Sequence, residues 1–309
     1  MASRKRNAKR KNKSAVSFLL LLLAVVAVVC GRFTDDFETE PLTSPENTYV
    51  SDGIVTVHIL DVGQGSSALI QSGNTGILID GGEKEYGKEI VSYISKAGVQ
   101  KLEYVIASHP HTDHIGGLLT VLDAFETENI IMPRLTEENT PTTKTYENFL
   151  LKIDEKNINV IAAKYGQTYE IENAVLQILG PVAQLDDLND MSVICKVKAL
   201  STTFLFPGDA EKEELKSVYA LGADFSCDIM AAAHHGSSTS LYEPYLEKAK
   251  PSVVVFSCGK DNSYGHPHEE TVSYFEKIGS EIYRTDYAGN VIFTCNADGY
   301  KIDTKLEGE

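Results

Sequence analysis

The chain has 309 residues and is acidic, with 44 Asp and Glu against 28 Lys and Arg and a formal net charge of −16 at pH 7. Seven of the bases fall in the first 13 residues, leaving 21 bases against 44 acids, about −23, for the rest. So acidic a body excludes functions that depend on a broad basic face, while 42% hydrophobic and 23% charged content is that of a folded protein with an ample core.

The basic start runs into an unbroken apolar stretch from Phe18 to Cys30. Residues 1–31 are therefore expected to form a targeting element outside the fold, either an uncleaved signal anchor or the core of a cleaved secretion signal. Either way the Lys/Arg cluster stays cytoplasmic and the remainder is exported, held at the membrane or secreted. Residues 32–53, acidic with two prolines, read as a tether, and 54–309 as one folded domain.

In that domain "IVTVHILDV", "SALIQS" and "GILIDGG" predict a meander of antiparallel strands, with a hairpin turn at "GNTG", Gly73 to Gly76. A helix over 88–96 with Ile90, Val91 and Ile94 on one face leads to a strand over 102–107, a polar loop and a helix over 117–125. A strand at 130–132, a helix over 146–153 and a strand at 160–162 follow. The alternation then resumes: "AVLQILGP", "SVICKVKA" and "TTFLFPGD" read as strands, 211–221 as a helix, "CDIMAAAHHGS" as a strand, 242–248 as a helix and "PSVVVFSCG" as a strand. A helix over 268–278 and strands at 281–283 and 291–295 close the chain. Two such runs predict an α+β fold of two sheets face to face with helices on the outer faces. Of the five cysteines, Cys195, Cys227, Cys258 and Cys295 sit in or beside strand-like runs, so they read as small buried hydrophobes, not disulfide partners.

Five polar clusters each follow a predicted strand: Asp80-Gly81-Gly82, His109 to His114, Gly208-Asp209, His234-His235-Gly236 and Gly265 to His268. Strand ends can converge on one edge of a sandwich, where loops hold functional groups over a rigid scaffold. His109-x-His111-x-Asp113-His114 offers three imidazoles and a carboxylate within six residues, a donor set suited to Zn²⁺ first and usable by Mn²⁺ or Fe²⁺. Asp80, ending its strand before two glycines, is expected to orient a ligating histidine through the ring's other nitrogen. His266 is the candidate to stabilise charge on a phosphate or to protonate a leaving oxygen. His268 reads as a helix-start residue and His58 as structural.

"HPHTDHIGG" resembles the H-x-H-x-D-H signature of the metallo-beta-lactamase superfamily, and with it comes the implication of a four-layer αββα sandwich. "HILDVGQG", "LIDGG", "NDMS", "FLFPGDAEKEE", "AAAHHGSSTS", "YGHPHEETVSYFEKIG" and "YRTDYAGNVIF" resemble, in order, the metallo-beta-lactamase-like domain of the ComEC family of DNA-uptake proteins, over roughly 54–302. The resemblance implies that His109 and His111 bind a first divalent ion and Asp113 and His114 a second. It further implies that Asp209 bridges the two and that His234 or His235 is the last histidine ligand. His235, followed by Gly236, is the better match to the superfamily's His-Gly turn. Two departures stand out. The third histidine of the first ion would fall near Asn189, whose carbonyl suits a harder ion such as Mn²⁺, and Ser66 stands where the family usually has Asp.

The implied activity is hydrolysis by a water activated between two metal ions, with Asp113, Asp209 and His266 as the catalytic groups. The expected substrate is a phosphodiester outside the cell, with extracellular DNA as one form. Lys260 and Arg284 are candidates for a local phosphate pocket. The alternatives are an exported hydrolase of another ester, a lactone or a β-lactam, or a metal-binding module without turnover.

Overall fold

A computed structural model describes residues 53–305. The expected targeting element and almost all of the expected tether lie outside these residues. Among the described residues no helix is long and apolar enough to cross a membrane.

Fifteen strands in chain order are β1 (Val55–Ile59), β2 (Ala68–Ser72), β3 (Thr75–Ile79), β4 (Lys101–Ile106), β5 (Glu126–Met132), β6 (Asn159–Ala162), β7 (Thr168–Ile171), β8 (Ala174–Ile178), β9 (Cys195–Ala199), β10 (Thr202–Phe206), β11 (Ile229–Ala231), β12 (Val253–Phe256), β13 (Glu281–Arg284), β14 (Asn290–Asn296) and β15 (Gly299–Lys305). The helices are α1 (Gly87–Lys96), α2 (Thr112–Ile115), α3 (Leu118–Ala124), α4 (Lys144–Lys156), α5 (Lys212–Ala220), α6 (Glu243–Ala249), α7 (Glu269–Ile278) and α8 (Thr285–Ala288). An eight-stranded sheet runs β15-β14-β1-β2-β3-β4-β5-β6 and a seven-stranded one β13-β12-β11-β10-β9-β8-β7. Both are mixed, with parallel and antiparallel pairs in each.

Alternation along the strands builds the layers. In β3, Ile77 and Ile79 enter the core between the sheets while Leu78 faces the cluster formed with Ile90, Leu118 and Phe149 of α1, α3 and α4. In β10 and β12, Phe204, Phe206, Val253 and Val255 meet the same central core, whereas Leu205 and Val254 pack with Leu215, Tyr245 and Phe275 of α5, α6 and α7. Three apolar layers therefore separate helix, sheet, sheet and helix. The four described cysteines are buried and free.

β7, β15, α2 and α8 have no counterpart in the sequence expectation. β7 is a four-residue strand with two exposed positions, and β15 is a polar edge strand held by β14 alone. Neither carries enough apolar pattern to announce itself.

Asp190 Oδ1 accepts the backbone N–H groups of Glu211 (2.8 Å) and Glu214 (3.2 Å), satisfying two of the free donors where α5 begins. Glu214 is itself buried, with Oε1 accepting from Val182 N–H at 2.9 Å and Oε2 without a hydrogen-bond partner. Burial, aided by the nearby Asp190, pushes its carboxyl up to about 8. The unfolded chain releases this proton near 4.5 and the folded chain holds it to about 8, so the folded state loses stability as pH climbs through that window. Glu214→Gln is expected to be more stable than the wild type by up to about 4 kcal/mol near pH 8 and to melt at a higher temperature there, with the gap closing below pH 4.5. Thermal melts across this range check it, and parallel wild-type and variant profiles would refute it.

Candidate metal centre

β3 to β6 run parallel to one another, as do β10 to β13. Every carboxyl end in each run therefore opens on the same edge of its sheet, and this is where the polar clusters meet. After β4 the chain turns through Ser108 to Pro110 into α2, which carries Asp113 and His114. Gly117 then passes so close to Gly81 that a Cβ there would stand 2.0 Å from the Gly81 carbonyl oxygen. From the other sheet, β10 delivers Asp209 and β11 delivers His234 and His235.

Asp209 lies at the centre. Its Oδ1 is 3.2 Å from His114 Nε2, and its Oδ2 is 3.5 Å from His235 Nε2, 3.7 Å from His234 Nε2 and 3.8 Å from His109 Nε2. Asp113 Oδ2 approaches His235 Nε2 at 3.4 Å. Donor atoms of Asp113, His114, Asp209 and His235 all fall within 4.8 Å of one another. Three of those atoms, His114 Nε2, Asp209 Oδ1 and His235 Nε2, are buried with no hydrogen-bond partner. Buried polar atoms are ordinarily paired, and two imidazole nitrogens aimed with two carboxylates at one point are the donor set of a divalent cation. These residues fit the metal that the motif implies.

The outer contacts fix the ring orientations. Asp80 Oδ2 is 2.7 Å from His114 Nδ1, while its carboxylate also accepts from Ser108 N–H (2.8 Å) and Ser108 Oγ (2.7 Å). The His235 Nδ1–H donates to the Ser257 carbonyl at 2.9 Å. Each contact engages Nδ1 and leaves Nε2 facing Asp209, the nitrogen a cation would take once its proton is displaced. Ser192 Oγ accepts the Asp209 N–H at 3.0 Å, seating that loop.

Charge is concentrated here. Burial works against protonated His114, but the carboxylates of Asp209, Asp80 and Asp113 override it and hold the ring well above its ordinary range. His235 is raised in the same way by Asp209 and Asp113. Burial, together with the neighbouring His114, lowers His109 well below its usual value. Asp209 and Asp113 are depressed despite burial because imidazoles surround them.

His109 Nε2 and His111 Nδ1 face each other at 3.0 Å. Asn189 lies at the cleft but sends its amide to Glu211 Oε1 at 3.3 Å. His266 is buried in the wall, with Gln64 Nε2 3.3 Å from its Nδ1. Because Gln64 Oε1 accepts from Gly259 N–H at 3.2 Å, the Gln64 amide group is the donor to His266, which assigns the His266 proton to Nε2. Burial and the nearby His235 and His234 lower this ring to about 4, leaving it neutral near pH 7. His268 precedes α7 and accepts from Ser238 N–H through Nδ1 at 3.0 Å, and His58 Nδ1 meets Tyr93 OH at 2.8 Å.

Asp113, Asp209, His234 and His235 line a cleft of about 650 Å³, with His114 buried behind them. A second cleft of about 680 Å³ has no carboxylate or imidazole in its lining, so the chemistry belongs to the first. The site cleft contains residues the sequence did not mark, among them Gln64, Glu83, Glu85, Tyr86 and Tyr264, and no Lys or Arg lines it. Lys260 and Arg284 are not part of it. Arg284 is instead engaged by Asp286 at 2.6 and 2.9 Å and lies over the Tyr287 ring. The missing signal is topological: Gln64 and Glu83 lie in loops whose nearness to His266 and Asp113 depends on sheet packing, although Gln64 does fall within the quoted "HILDVGQG".

A sequence profile described as the metallo-beta-lactamase superfamily matches residues 60–260. The chain belongs to that superfamily. It is similar to ComE operon protein 3 of Bacillus subtilis (strain 168), 24% identical over 76% of this chain and 32% of the relative. It is also similar to recombination protein 2 of Haemophilus influenzae, 31% identical over 76% of this chain and 28% of the relative. The chain thus spans about a third of the length of these curated relatives. Among solved structures, the metallo-beta-lactamase fold protein YhfI from Bacillus subtilis superposes with a TM-score of 0.51 at 14% identity, covering 78% of this chain and all of that one. At that identity the likeness concerns the fold, and it agrees with the layered sandwich described above.

Proposed function

We propose that this chain is a metal-dependent hydrolase that cleaves phosphodiesters outside the cell. The observation that carries this reading is the convergence of Asp113, His114, Asp209 and His235 at an open cleft that Asp113, Asp209 and His235 line, with His266 in its wall. Asp113, His114, Asp209 and His235 would hold one cation and His109 and His111 would begin the site of another, and such ions would supply Lewis acidity and a water acidified to near neutral pH. Asp80 and the Ser257 carbonyl hold the two imidazoles in the tautomer that leaves Nε2 free. His266, neutral and protonated on Nε2, offers a hydrogen bond to charge developing on a substrate oxygen; its role is stabilisation, not proton delivery.

A second reading, hydrolysis of a small uncharged or cationic ester, is favoured by one observation: Glu83 and Glu85 line the cleft and no Lys or Arg does. A long polyanion gains no side-chain countercharge there. The name of one relative, recombination protein 2, supports nucleic acid instead.

The deciding experiment incubates the metal-stripped, then Mn²⁺- or Zn²⁺-loaded chain with bis-p-nitrophenyl phosphate, single-stranded DNA and nitrocefin. Turnover of the first is expected. Turnover of nitrocefin alone would refute the phosphodiester reading. Chelation is expected to abolish turnover and to lower the melting temperature, since an ion at 100 times its Kd stabilises by about 2.7 kcal/mol. An unchanged melt after demonstrated metal removal would sink the assignment of these residues as ligands.

A further inference from the structure

Tyr264 is the most exposed large hydrophobic side chain among the described residues, at 66%, and it stands in the wall of the metal cleft. We propose that its ring is a stacking platform for the base next to the scissile phosphate, so that the substrate is a nucleotide diester and not a phosphodiester at large. The inference rests on the reading that the cleft hydrolyses phosphodiesters. It names the part of the substrate that the donor cluster does not recognise.

The ring is placed where a base would reach it. It lies nearly parallel to His266, with centroids 5.6 Å apart and planes at 18°, an offset-stacked pair. One face is covered by His266, and the exposure belongs to the rest of the ring. The His266 centroid is in turn 6.0 Å from that of His235, so the platform stands one ring beyond the donor cluster. A base and its phosphate are joined through a single sugar, which bridges such a step. The other strongly exposed tyrosine, Tyr287 at 65%, is covered by the Arg284 guanidinium 4.4 Å from its centroid and does not line the cleft.

The loop between β12 and α7 holds this ring in place. Asn262 closes it from within: its Oδ1 accepts the His266 N–H at 3.0 Å, and its Nδ2 donates to the carbonyls of Gly259 (2.9 Å) and His266 (2.6 Å). The Tyr264 carbonyl accepts from His268 Nε2 at 3.2 Å, since His268 Nδ1 is the acceptor of the Ser238 N–H. Gly259 packs so closely on the loop after β1 that a Cβ there would stand 2.7 Å from the Gln64 backbone nitrogen. A platform ordered in advance loses little conformational entropy when a base arrives. The chemistry of the cleft calls for such a group. No Lys or Arg lines it, so beyond the cations a nucleotide finds no countercharge. Stacking supplies affinity without charge and for any base, because every base has a π-face. Glu83 and Glu85, which also line the cleft, are acceptors for the amino groups of a base or the hydroxyls of a sugar and repel a second phosphate.

The test offers the Mn²⁺-loaded full-length chain two esters with the same leaving group, thymidine 5′-(p-nitrophenyl phosphate) and methyl p-nitrophenyl phosphate. The wild type is expected to prefer the nucleoside ester, with the preference carried by KM. Tyr264→Ala should raise KM for the nucleoside ester relative to the methyl ester by about 5–150-fold, and Tyr264→Phe and Tyr264→Trp should keep the wild-type ratio. A second readout needs no turnover. The chain has no tryptophan, so Tyr264→Trp carries a single indole at the platform. In the Zn²⁺-loaded variant, thymidine 5′-monophosphate should quench that fluorescence saturably, and methyl phosphate should not. Equal use of the two esters by the wild type, a preference that survives in Tyr264→Ala, or a quench by methyl phosphate equal to that by the nucleotide would overturn the proposal. Turnover of neither ester overturns the proposed function as well, which separates the two failures.

Discussion

Asp209→Asn is expected to lower phosphodiester turnover by about 10³-fold, several kcal/mol of lost transition-state stabilisation, and to strip the chain of tightly held metal. The reason is position. Asp209 is buried, and its two oxygens lie within 3.8 Å of the facing nitrogens of His109, His114, His234 and His235. No other carboxylate described is shared so widely. An amide at this place keeps the shape and loses the charge, so a bound cation loses the one carboxylate that faces all four imidazoles. Steady-state rates and metal content per chain, measured together, check this outcome. Full turnover in the variant would mean that the carboxylate is structural and that the chemistry lies elsewhere.

Asp80→Asn should act one layer further out, with metal affinity falling by about 10–100-fold and turnover following at subsaturating metal. Asp80 accepts three hydrogen bonds, two from Ser108 and one from His114. An asparagine has a single acceptor oxygen. If that oxygen keeps Ser108 N–H, the amide nitrogen meets His114 Nδ1–H, donor against donor, and the ring relieves the conflict by moving its proton to Nε2, the atom needed for the cation. The loss of a charged acceptor in a buried setting also costs about 1.5–3 kcal/mol of fold stability. Excess metal is therefore expected to restore much of the rate, which distinguishes this variant from Asp209→Asn. Metal titration of activity reads the difference, and identical metal dependence in wild type and variant would rule out the orienting role.

Much of this was legible in the residues. Polar clusters after apolar runs located Asp80, His109 to His114, Asp209, His234-His235 and His266, because a parallel strand order sends all such loops to one edge. The layered fold was legible for the same reason, since strands buried on both faces, such as Val253 to Phe256, read as unbroken apolar runs. What escaped depends on packing across the sheets. The Gln64 contact to His266, the Ser192 support of Asp209 and the Asp190 contacts that start α5 join segments far apart in sequence, and no local period encodes them. The sequence posed His234 and His235 as alternatives for one ligand position; the left-handed backbone that turns both rings toward Asp209 leaves no compositional mark. Lys260 and Arg284, expected at a phosphate pocket, do not line the cleft, and Asp286, two residues beyond Arg284, engages that guanidinium.

The four tightly clustered donors come two from each sheet, Asp113 and His114 after β4, Asp209 after β10 and His235 after β11. A cation held among them is a cross-link between the halves of the fold, closing a loop of roughly a third of the chain between His114 and Asp209. Neither sheet alone supplies all four donors, so the complete set assembles only when the two sheets have docked, and binding at this site would be coupled to folding.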